Sequence, residues 1–281
     1  MKVLVTGASG QLGSDVVLEL ESRGMEIIAP SHEEFDITNQ GLVLQMFEYT
    51  EIDAVVHCAA YTAVDLAQEE HIKCHNLNAS ATRSLAKQCG RLEIPMVYIS
   101  TDYVFGGAGE EPYEVNDKKS PLNEYGLSKL AGEEAMKAFC NKHFIIRVSW
   151  LFGKNGKNFP KTILRLAETR DEISVVADQI GSPTYTKDLA KLIADMLKTK
   201  NYGIYHATNE GFVSFFDYAK EIVRQSGKNL IINPTTTDKY KSAARRPLNS
   251  RLSKQSLVEA GFELLPPWED ALSRFLKELK I

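Results

Sequence analysis

Apolar and polar residues along the chain alternate between short apolar runs and longer stretches with helical spacing. The short runs are rich in β-branched residues, which favour strands, and the stretches between them repeat apolar residues every three or four positions, which predicts helices. The predicted strands of the first half are residues 1–6, 25–29, 54–57, 95–100 and 144–148. The predicted helices between them are residues 12–24, 39–49, 66–90 and 124–139. This alternation indicates a parallel sheet that is covered on both faces.

The alternation becomes less regular after Trp150. The predicted helices of this part are residues 158–168, 186–198, 214–226 and a last one from about 267, with short strands at 173–176 and 203–206. We therefore expect an α/β fold, a doubly wound parallel sheet with a smaller C-terminal α/β lobe. The first domain is predicted to span residues 1–150 and the lobe mainly residues 151–281, some segments of which could return to the first domain.

The composition is that of an ordinary globular protein and excludes several kinds of partner. The 33 Lys and Arg residues are outnumbered by 37 Asp and Glu residues, which leaves a net charge of −4. This balance provides no electrostatic reason to expect binding to nucleic acid or to a membrane, and no apolar run reaches the roughly 18 residues of a membrane span. The four cysteines form no CxxC pair, so we expect reduced thiols and a cytoplasmic location.

A glycine motif separates the first predicted strand from the first predicted helix. Gly7, Gly10 and Gly13 have the spacing GxxGxxG, which suits a tight turn, a close backbone approach to a pyrophosphate and a helix N-terminus directed at it. The motif therefore predicts a Rossmann-type nucleotide-binding domain. The acidic residue that would hold the ribose of NAD at the end of the second strand is missing, because that strand ends in Ala29-Pro-Ser-His32. We thus expect both NADPH and NADH to be accepted.

A second motif, Tyr125-Gly-Leu-Ser-Lys129, lies on the predicted helix 124–139. Residues four positions apart share one face of a helix, so the Lys129 ammonium would lie near the Tyr125 phenol and favour its phenolate form. A tyrosine placed in this way can exchange a proton with a carbonyl group. Ser100-Thr101-Asp102 ends a preceding strand, at the edge where open α/β sheets bind their ligands.

Together these motifs resemble the extended short-chain dehydrogenase/reductase family over essentially the whole chain. Within the family, the resemblance is closest to reductases of 4-keto dTDP-sugars. The segments that carry it are Val5–Gly13, Asp36–Thr38, Cys58–Asp65, Ser100–Gly106, Tyr125–Lys129, Arg147–Gly153, Asp178–Thr184 and Arg246–Pro247. The resemblance implies an NAD(P)H-dependent oxidoreductase that acts on a dTDP-sugar.

The resemblance also implies a role for each matching position along the cofactor. The pyrophosphate would be cradled by Gly7, Gly10, Gln11, Leu12 and Gly13. The adenine would be flanked by Asp36 and Ile37, and the rest of the cofactor would run past Ala59, Ala60, Tyr61, Tyr125 and Lys129.

The catalytic residues implied by the resemblance are Thr101, Tyr125 and Lys129. Thr101 would orient the carbonyl and Tyr125 would donate the proton, while Lys129 would hold the nicotinamide ribose and lower the pKa of the tyrosine. The substrate would contact Thr101, Asp102 and Trp150. Its diphosphate needs a local cation in this acidic chain, and Arg246 belongs to the only pair of adjacent arginines, whose guanidinium groups suit phosphate.

Several alternatives stay open at this point. The chain could reduce another 4-keto-deoxy nucleotide sugar, or it could be a non-catalytic regulatory subunit of the same fold, although the catalytic trio is intact. Dehydratases of the family place Glu after the Thr-Asp pair, where this chain has Tyr103, so dehydration lacks its expected base. The resemblance leaves open a homodimer and a use of Mg²⁺, but the sequence contains no recognisable metal site.

Overall fold

The computed structural model describes all 281 residues and contains ten α-helices and fifteen strands. The strands are β1 (Lys2–Thr6), β2 (Glu26–Ile28), β3 (Ala54–His57), β4 (Met96–Thr101), β5 (His143–Val148), β6 (Leu151–Phe152), β7 (Glu172–Val176), β8 (Ile180–Gly181), β9 (Thr184–Tyr185), β10 (Gly203–His206), β11 (Asn209–Glu210), β12 (Val213–Ser214), β13 (Ile231–Thr235), β14 (Asn249–Ser250) and β15 (Leu265–Pro267). The helices are α1 (Gln11–Ser22), α2 (Gln40–Tyr49), α3 (His71–His75), α4 (Thr82–Arg91), α5 (Glu124–Phe139), α6 (Phe159–Leu166), α7 (Thr186–Met196), α8 (Phe215–Ser226), α9 (Gln255–Glu259) and α10 (Trp268–Glu278). None of the helices is long and apolar enough to cross a membrane.

Six of these strands form one parallel sheet in the order β10-β5-β4-β3-β1-β2. After β1 the chain moves to one side of the sheet, and after β3 it moves to the other. The carboxyl ends of β1 and β3 therefore border the crevice in which doubly wound sheets bind ligands. This topology confirms the predicted α/β fold with a Rossmann-type doubly wound sheet.

The sheet is covered on both faces, as the continuous apolar runs of its strands predict. Successive residues of β1 point to opposite faces: Val3 and Val5 pack with α1 and α7, whereas Leu4 packs with α2, α4 and α5. Both apolar layers are closed to solvent, so the central strands are held by burial on either side. The sheet is thus a rigid platform for the loops at its carboxyl edge.

The C-terminal lobe has its own apolar core, in which aromatic side chains of α8 and α10 predominate. Helix α8 packs on the β7–β13 pair, α6 and α10 pack on α8, and the side chains of Tyr218, Trp268 and Phe275 are buried in this core. However, β10 completes the main sheet and α7 packs on α1, although both follow residue 150. The division of the chain at residue 150 stays a prediction, and β10 and α7 lie against elements that precede that residue.

The prediction of one continuous α-helix over residues 66–90 is wrong. The chain forms a 3₁₀ turn at Leu66–Gln68, then α3, a π-helical turn at Asn76–Ala81 and finally α4. The π-helical turn contains the buried side chain of Asn78, which accepts a hydrogen bond from the Tyr61 backbone at 2.8 Å and donates one to Ser128 Oγ at 2.9 Å. A single inward polar residue with distant partners leaves no trace in helical periodicity, so the sequence pattern missed it.

A buried ion pair fastens α5 to the sheet. Arg147 of β5 is fully buried, and its Nε and Nη2 donate to the two carboxylate oxygens of Glu133 on α5, at 2.8 and 2.7 Å. Ser100 of β4 donates a further hydrogen bond to Glu133 at 2.5 Å, and Arg147 Nη1 donates to the Val115 carbonyl at 2.8 Å. Glu133 thus bonds α5 to two neighbouring strands at once.

We expect Glu133→Gln to lower the free energy of unfolding by about 3–5 kcal/mol, because it leaves the Arg147 charge buried without a counter-ion. Chemical denaturation measures this change. The control is Glu134→Gln on the neighbouring position, where the exposed carboxylate pairs with Lys137 at 2.6 Å and where a loss of at most about 0.5 kcal/mol is expected. Equal losses in both variants would show that the buried pair does not hold α5 in place.

Candidate active site

The glycine turn lies at the carboxyl end of β1, directly against the chain that leaves β3. Gly7 has a φ of +67°, and a Cβ atom there would lie 2.7 Å from the Ala59 backbone nitrogen. Any other residue would be strained and would push β1 and β3 apart. Because these two segments pack so closely, the glycine turn and the loop of Ala59 and Ala60 line the same crevice.

The N-terminus of α1 opens towards this crevice. Gly10 is the N-cap residue, and neither a capping side chain nor an acidic residue occupies the first turn of the helix. A Cβ atom on Gly13 would lie 2.1 Å from the Gly7 carbonyl oxygen, so only glycine lets the helix start this close to the turn. Free N–H groups and the positive end of the helix dipole make such a terminus a site for a phosphate or pyrophosphate.

Two residues expected at the pyrophosphate have their side chains elsewhere. Gln11 donates to the Leu151 carbonyl at 3.0 Å and accepts from Asn158 at 2.8 Å, both in the C-terminal lobe. Leu12 is buried in the core beneath the sheet. Gln11 and Leu12 can therefore contact an anion at the turn only through their backbone N–H groups.

The segment after β2 carries Asp36 and Ile37 at the other end of the crevice. Hydrogen bonds from the Thr38 hydroxyl and backbone, at 2.7 and 2.9 Å, hold the pKa of Asp36 below its usual value. Ile37 is buried in the apolar core. The sequence shows no acidic residue at the end of β2, but the Glu34 carboxylate folds back and accepts the Ser31 N–H at 2.8 Å, so a carboxylate does lie on this loop.

Tyr61 closes the crevice on the side of β3. Its hydroxyl donates to Glu70 at 2.8 Å, and burial together with that carboxylate raises the pKa of Tyr61 to about 12. Its backbone N–H is held by Asn78, which also bonds Ser128 beside Lys129. Asn78 therefore joins the loop of residues 59–61 to α5, a role that no feature of the sequence pattern indicates.

Thr101 and Asp102 lie at the carboxyl end of β4 and form one buried unit. The Thr101 hydroxyl donates to Asp102 Oδ1 at 2.9 Å and accepts the Tyr103 N–H at 3.2 Å. The other carboxylate oxygen of Asp102 accepts a hydrogen bond from Ser250 of β14. Burial raises the pKa of Asp102 to about 6, against the effect of these donors. Ser250 thus brings the C-terminal lobe to the end of β4, and sequence reasoning did not identify it.

Tyr125 and Lys129 project from α5 towards this unit. Burial raises the pKa of Tyr125, the Asp102 carboxylate raises it further, and the nearby Thr101 hydroxyl opposes the rise. The expectation of a lowered tyrosine pKa is therefore wrong, because desolvation of the phenolate is the largest effect. Tyr125 is a neutral phenol at neutral pH, which is the form that can donate a proton to a carbonyl oxygen.

Lys129 is a buried cation with an aromatic neighbour. Its Nζ lies 4.0 Å from the centre of the Tyr98 ring. Burial lowers the pKa of Lys129 to about 7, and the Glu133 carboxylate one turn away opposes this shift. The ammonium is thus poised to change its protonation state near neutral pH.

Trp150 follows β5 in a left-handed backbone conformation with a φ of +48°. Its indole stacks on Phe215 with ring centres 3.7 Å apart. Phe215 in turn lines a cavity of about 530 Å³ in the C-terminal lobe, together with Phe159, Gln179, Tyr240 and Arg246. A strained residue held by stacking at the edge of a cavity suits a ligand contact, and the structure places Trp150 between the sheet and this cavity.

Arg246 reaches the same cavity from the far end of the chain. Its Nη2 donates to Asp65 at 2.6 Å and its Nη1 donates to the Tyr103 hydroxyl at 3.3 Å. No group of three or more His, Cys, Asp or Glu side chains is arranged to hold a metal ion.

Comparisons with known proteins agree over the whole length of the chain. A family model described as RmlD substrate binding domain matches residues 1–281. The spore coat polysaccharide biosynthesis protein SpsK of Bacillus subtilis is 41% identical over 277 residues, which are 99% of this chain and 97% of the relative. The crystal structure of a dTDP-4-dehydrorhamnose reductase from Clostridium acetobutylicum has a TM-score of 0.98 at 37% identity, with both chains fully covered. The corresponding reductase of Bacillus anthracis in complex with NADP has a TM-score of 0.96 at 42% identity and 99% coverage of each chain.

We expect Lys129→Met to stabilise the protein below pH 7. The pKa of Lys129 is about 7 in the folded chain and 10.5 as an ordinary lysine, so the folded state binds this proton more weakly than the unfolded state does. Below pH 7 both states are charged and the folded state bears the whole cost of burying the charge, whereas above 10.5 neither state does. The gain in melting temperature should thus be largest at pH 6 and shrink as the pH rises through 7 to 10. A gain that does not depend on pH would show that lost charge is not its cause.

Proposed function

The chain belongs to the family that the RmlD substrate binding domain model describes, and from this premise we propose that it reduces dTDP-4-dehydro-L-rhamnose to dTDP-L-rhamnose. It is an NAD(P)H-dependent oxidoreductase of dTDP-rhamnose biosynthesis. The observation that carries the proposal is the position of Tyr125 at the end of β4, where its ring packs edge-to-face on Tyr103 with ring centres 5.7 Å apart, at the same carboxyl edge of the sheet as a helix terminus that fits a pyrophosphate. Proteins named dTDP-4-dehydrorhamnose reductase support it at 37% identity over nearly full length.

Proton transfer is the part of the reaction that the chain's own residues perform. When bound, the reduced nicotinamide supplies the hydride for C4 of the sugar. Tyr125 donates its phenol proton to the carbonyl oxygen, which becomes the new hydroxyl group. Thr101 orients the carbonyl, and the Lys129 ammonium holds the ribose and stabilises the phenolate left on Tyr125. The neutral phenol that burial enforces is the form required in this direction of the reaction.

The nucleotide part of the substrate fits the cavity of the C-terminal lobe. Its volume of about 530 Å³ lies in the range of small-ligand pockets, and its aromatic wall includes Phe159 and Phe215. Arg246 at its edge offers guanidinium donors suited to a diphosphate. Trp150 and Asp102 would contact the sugar, between the cavity and Tyr125.

NADPH and NADH are both accepted as reductants in this proposal. Ser31 and His32 after β2 offer neutral or weakly basic contacts to a 2′-phosphate. Glu34 lies on the same loop, but its carboxylate is already engaged with the Ser31 N–H. The glycine turn and the uncapped start of α1 fit the pyrophosphate that the two cofactors share.

Another 4-keto-deoxy nucleotide sugar is the second candidate substrate. The relative that is 41% identical is named for spore coat polysaccharide biosynthesis, and its name specifies no sugar. A panel of 4-keto nucleotide sugars tests both candidates: the purified protein is incubated with each sugar and NADPH, cofactor oxidation is followed by absorbance, and products are identified by NMR. We expect dTDP-4-dehydro-L-rhamnose to be turned over fastest. Fastest turnover of another sugar would favour the second candidate, and oxidation with none would favour a non-catalytic role.

Three further points stay to be tested: a homodimer, a cytoplasmic location, and a use of Mg²⁺, for which the sequence contains no recognisable site. A homodimer can be checked by sedimentation of the purified protein, and a cytoplasmic location by fractionation of the source cells. A requirement for Mg²⁺ can be checked by adding a chelator during turnover.

We predict that Tyr125→Phe lowers kcat by about 10²–10⁴-fold, because it removes the general acid and keeps the packing of the ring. The affinity for NADPH, measured by fluorescence titration, should change little. Tyr113→Phe is the control, since the Tyr113 hydroxyl bonds only the Ala108 carbonyl. Near-normal turnover by the Tyr125 variant would exclude this residue from the chemistry.

We predict that Arg246→Ala lowers kcat/KM for the dTDP-sugar by about 10- to 100-fold, the effect of losing a charge-assisted contact worth about 1.5–3 kcal/mol. The change should appear as a higher KM, with NADPH binding almost unchanged. Arg245→Ala is the matched control, because Arg245 is its exposed neighbour. If steady-state kinetics gave the same result for both variants, the diphosphate would have to bind elsewhere.

A further inference from the structure

Residues 237–246 form a strap that passes along the cavity of the C-terminal lobe. At its start, Thr237 is held by Asp178, which accepts the Thr237 N–H at 2.8 Å and the Thr237 hydroxyl at 2.7 Å. In its middle, the side chain of Tyr240 lines the cavity. Asp178 belongs to the same lobe, so this first attachment does not connect the strap to the main sheet.

The other end of the strap is held by Asp65, which follows β3 in the first domain. Asp65 Oδ1 accepts the Ala244 N–H at 3.0 Å, and Asp65 Oδ2 accepts from Arg246 Nη2 at 2.6 Å. These partners are 179 and 181 residues away in the chain. One carboxylate therefore fixes both the backbone of the strap and the side chain that it presents to the cavity.

The Arg246 guanidinium keeps donors free after these contacts. Of its five N–H groups, one is used by Asp65 and one by the Tyr103 hydroxyl. Both partners belong to the first domain, on the loops that follow β3 and β4, and Arg246 also lines the cavity. The remaining N–H groups are therefore available to an anion on the cavity side.

We propose that Asp65 is a positioning residue that closes the strap over the nucleotide-sugar and orients Arg246 towards its diphosphate. The identity of the ligand in this proposal rests on the proposed function, whereas the attachment of the strap to Asp65 does not. A long arginine side chain loses conformational freedom when it binds an anion. The carboxylate restricts the arginine before the ligand arrives, so less of that freedom is lost on binding. The pair also joins the two lobes, so the cavity and the end of β4 keep one relative position.

Limited proteolysis tests the closure without any activity measurement. Lys239, Lys241 and Arg245 are trypsin sites within the strap. We expect Asp65→Ala to speed cleavage at these sites by about tenfold, because cleavage follows the population of the open segment. Asp65→Asn should lie between Asp65→Ala and the wild type, since its amide oxygen can still accept the Ala244 N–H. Mass spectrometry identifies the sites, and sites outside the strap are the internal reference for general unfolding.

Glu69→Ala is the matched control, because Glu69 is an exposed acidic residue on the same segment. It should leave the cleavage pattern as in the wild type. Cleavage of the strap at the wild-type rate in Asp65→Ala would overturn the proposed attachment.

Binding and kinetics test the orientation of Arg246. We expect Asp65→Ala to raise both the Kd for dTDP, measured by calorimetry, and the KM for the dTDP-sugar by about tenfold or more, with kcat and NADPH affinity within about twofold. In the double variant with Arg246→Ala, the two effects should be less than additive, because both act on the same contact. An open strap with an unchanged KM, or strictly additive effects, would overturn the positioning role.

The outcomes also separate this inference from the function on which it rests. If the wild-type protein neither binds dTDP nor reduces any dTDP-sugar, the proposed function fails, and the trypsin comparison still decides whether Asp65 holds the strap. If the wild type is active and the Asp65 variants match it in every measurement, the function stands and this inference fails.

Discussion

The candidate active site depends on the attachment of α5 to the sheet through Glu133. Tyr125, Lys129 and Glu133 are four residues apart and therefore share one face of this helix. Because the Glu133 carboxylate is bonded to Arg147 of β5 and Ser100 of β4, that face cannot roll relative to the strands. Ser100 directly precedes Thr101, so one buried ion pair sets the position of the phenol, the ammonium and the threonine hydroxyl together.

The remaining parts of the site are brought together by polar contacts between the sheet and the C-terminal lobe. Ser250 bonds Asp102 at the end of β4, and Gln11 of the glycine turn bonds Asn158. Asn158 is also the N-cap of α6, whose residues line the cavity. A movement of the turn would therefore reach the cavity wall through two hydrogen bonds. Hydrogen bonds of this kind fix the distance between the sheet and the lobe more narrowly than apolar contacts do, because each bond has a preferred length and direction.

Local spacing was sufficient to predict the sheet, the glycine turn and the shared helix face of Tyr125 and Lys129, whereas the catalytic roles of Thr101, Tyr125 and Lys129 stay predictions. Strands buried on both faces are continuous apolar runs, and Tyr125 and Lys129 share a helix face by their spacing alone. The contacts that complete the site join residues far apart in the chain, such as Asp65 and Arg246, and such pairs have no period to detect. The pKa of Tyr125 was predicted in the wrong direction for a related reason. A lysine four residues away shows that a cation is near, but it does not show how deeply the phenol is buried.

The two kinds of buried charge in this molecule have opposite consequences. The Arg147–Glu133 pair satisfies its hydrogen bonds internally, so breaking it destabilises the fold. Lys129 and Asp102 are buried with less compensation, and burial shifts the pKa of each towards neutrality, to about 7 and about 6. The charged forms of these two residues therefore cost folding stability at the carboxyl edge of the sheet, in the candidate active site. An anion beside Lys129 would favour its charged form and raise its pKa. Binding of such an anion would therefore offset the free energy that is lost when the charged lysine is buried. Folding alone therefore favours a neutral side chain at Lys129, and the Arg147–Glu133 pair stabilises the helix that carries it.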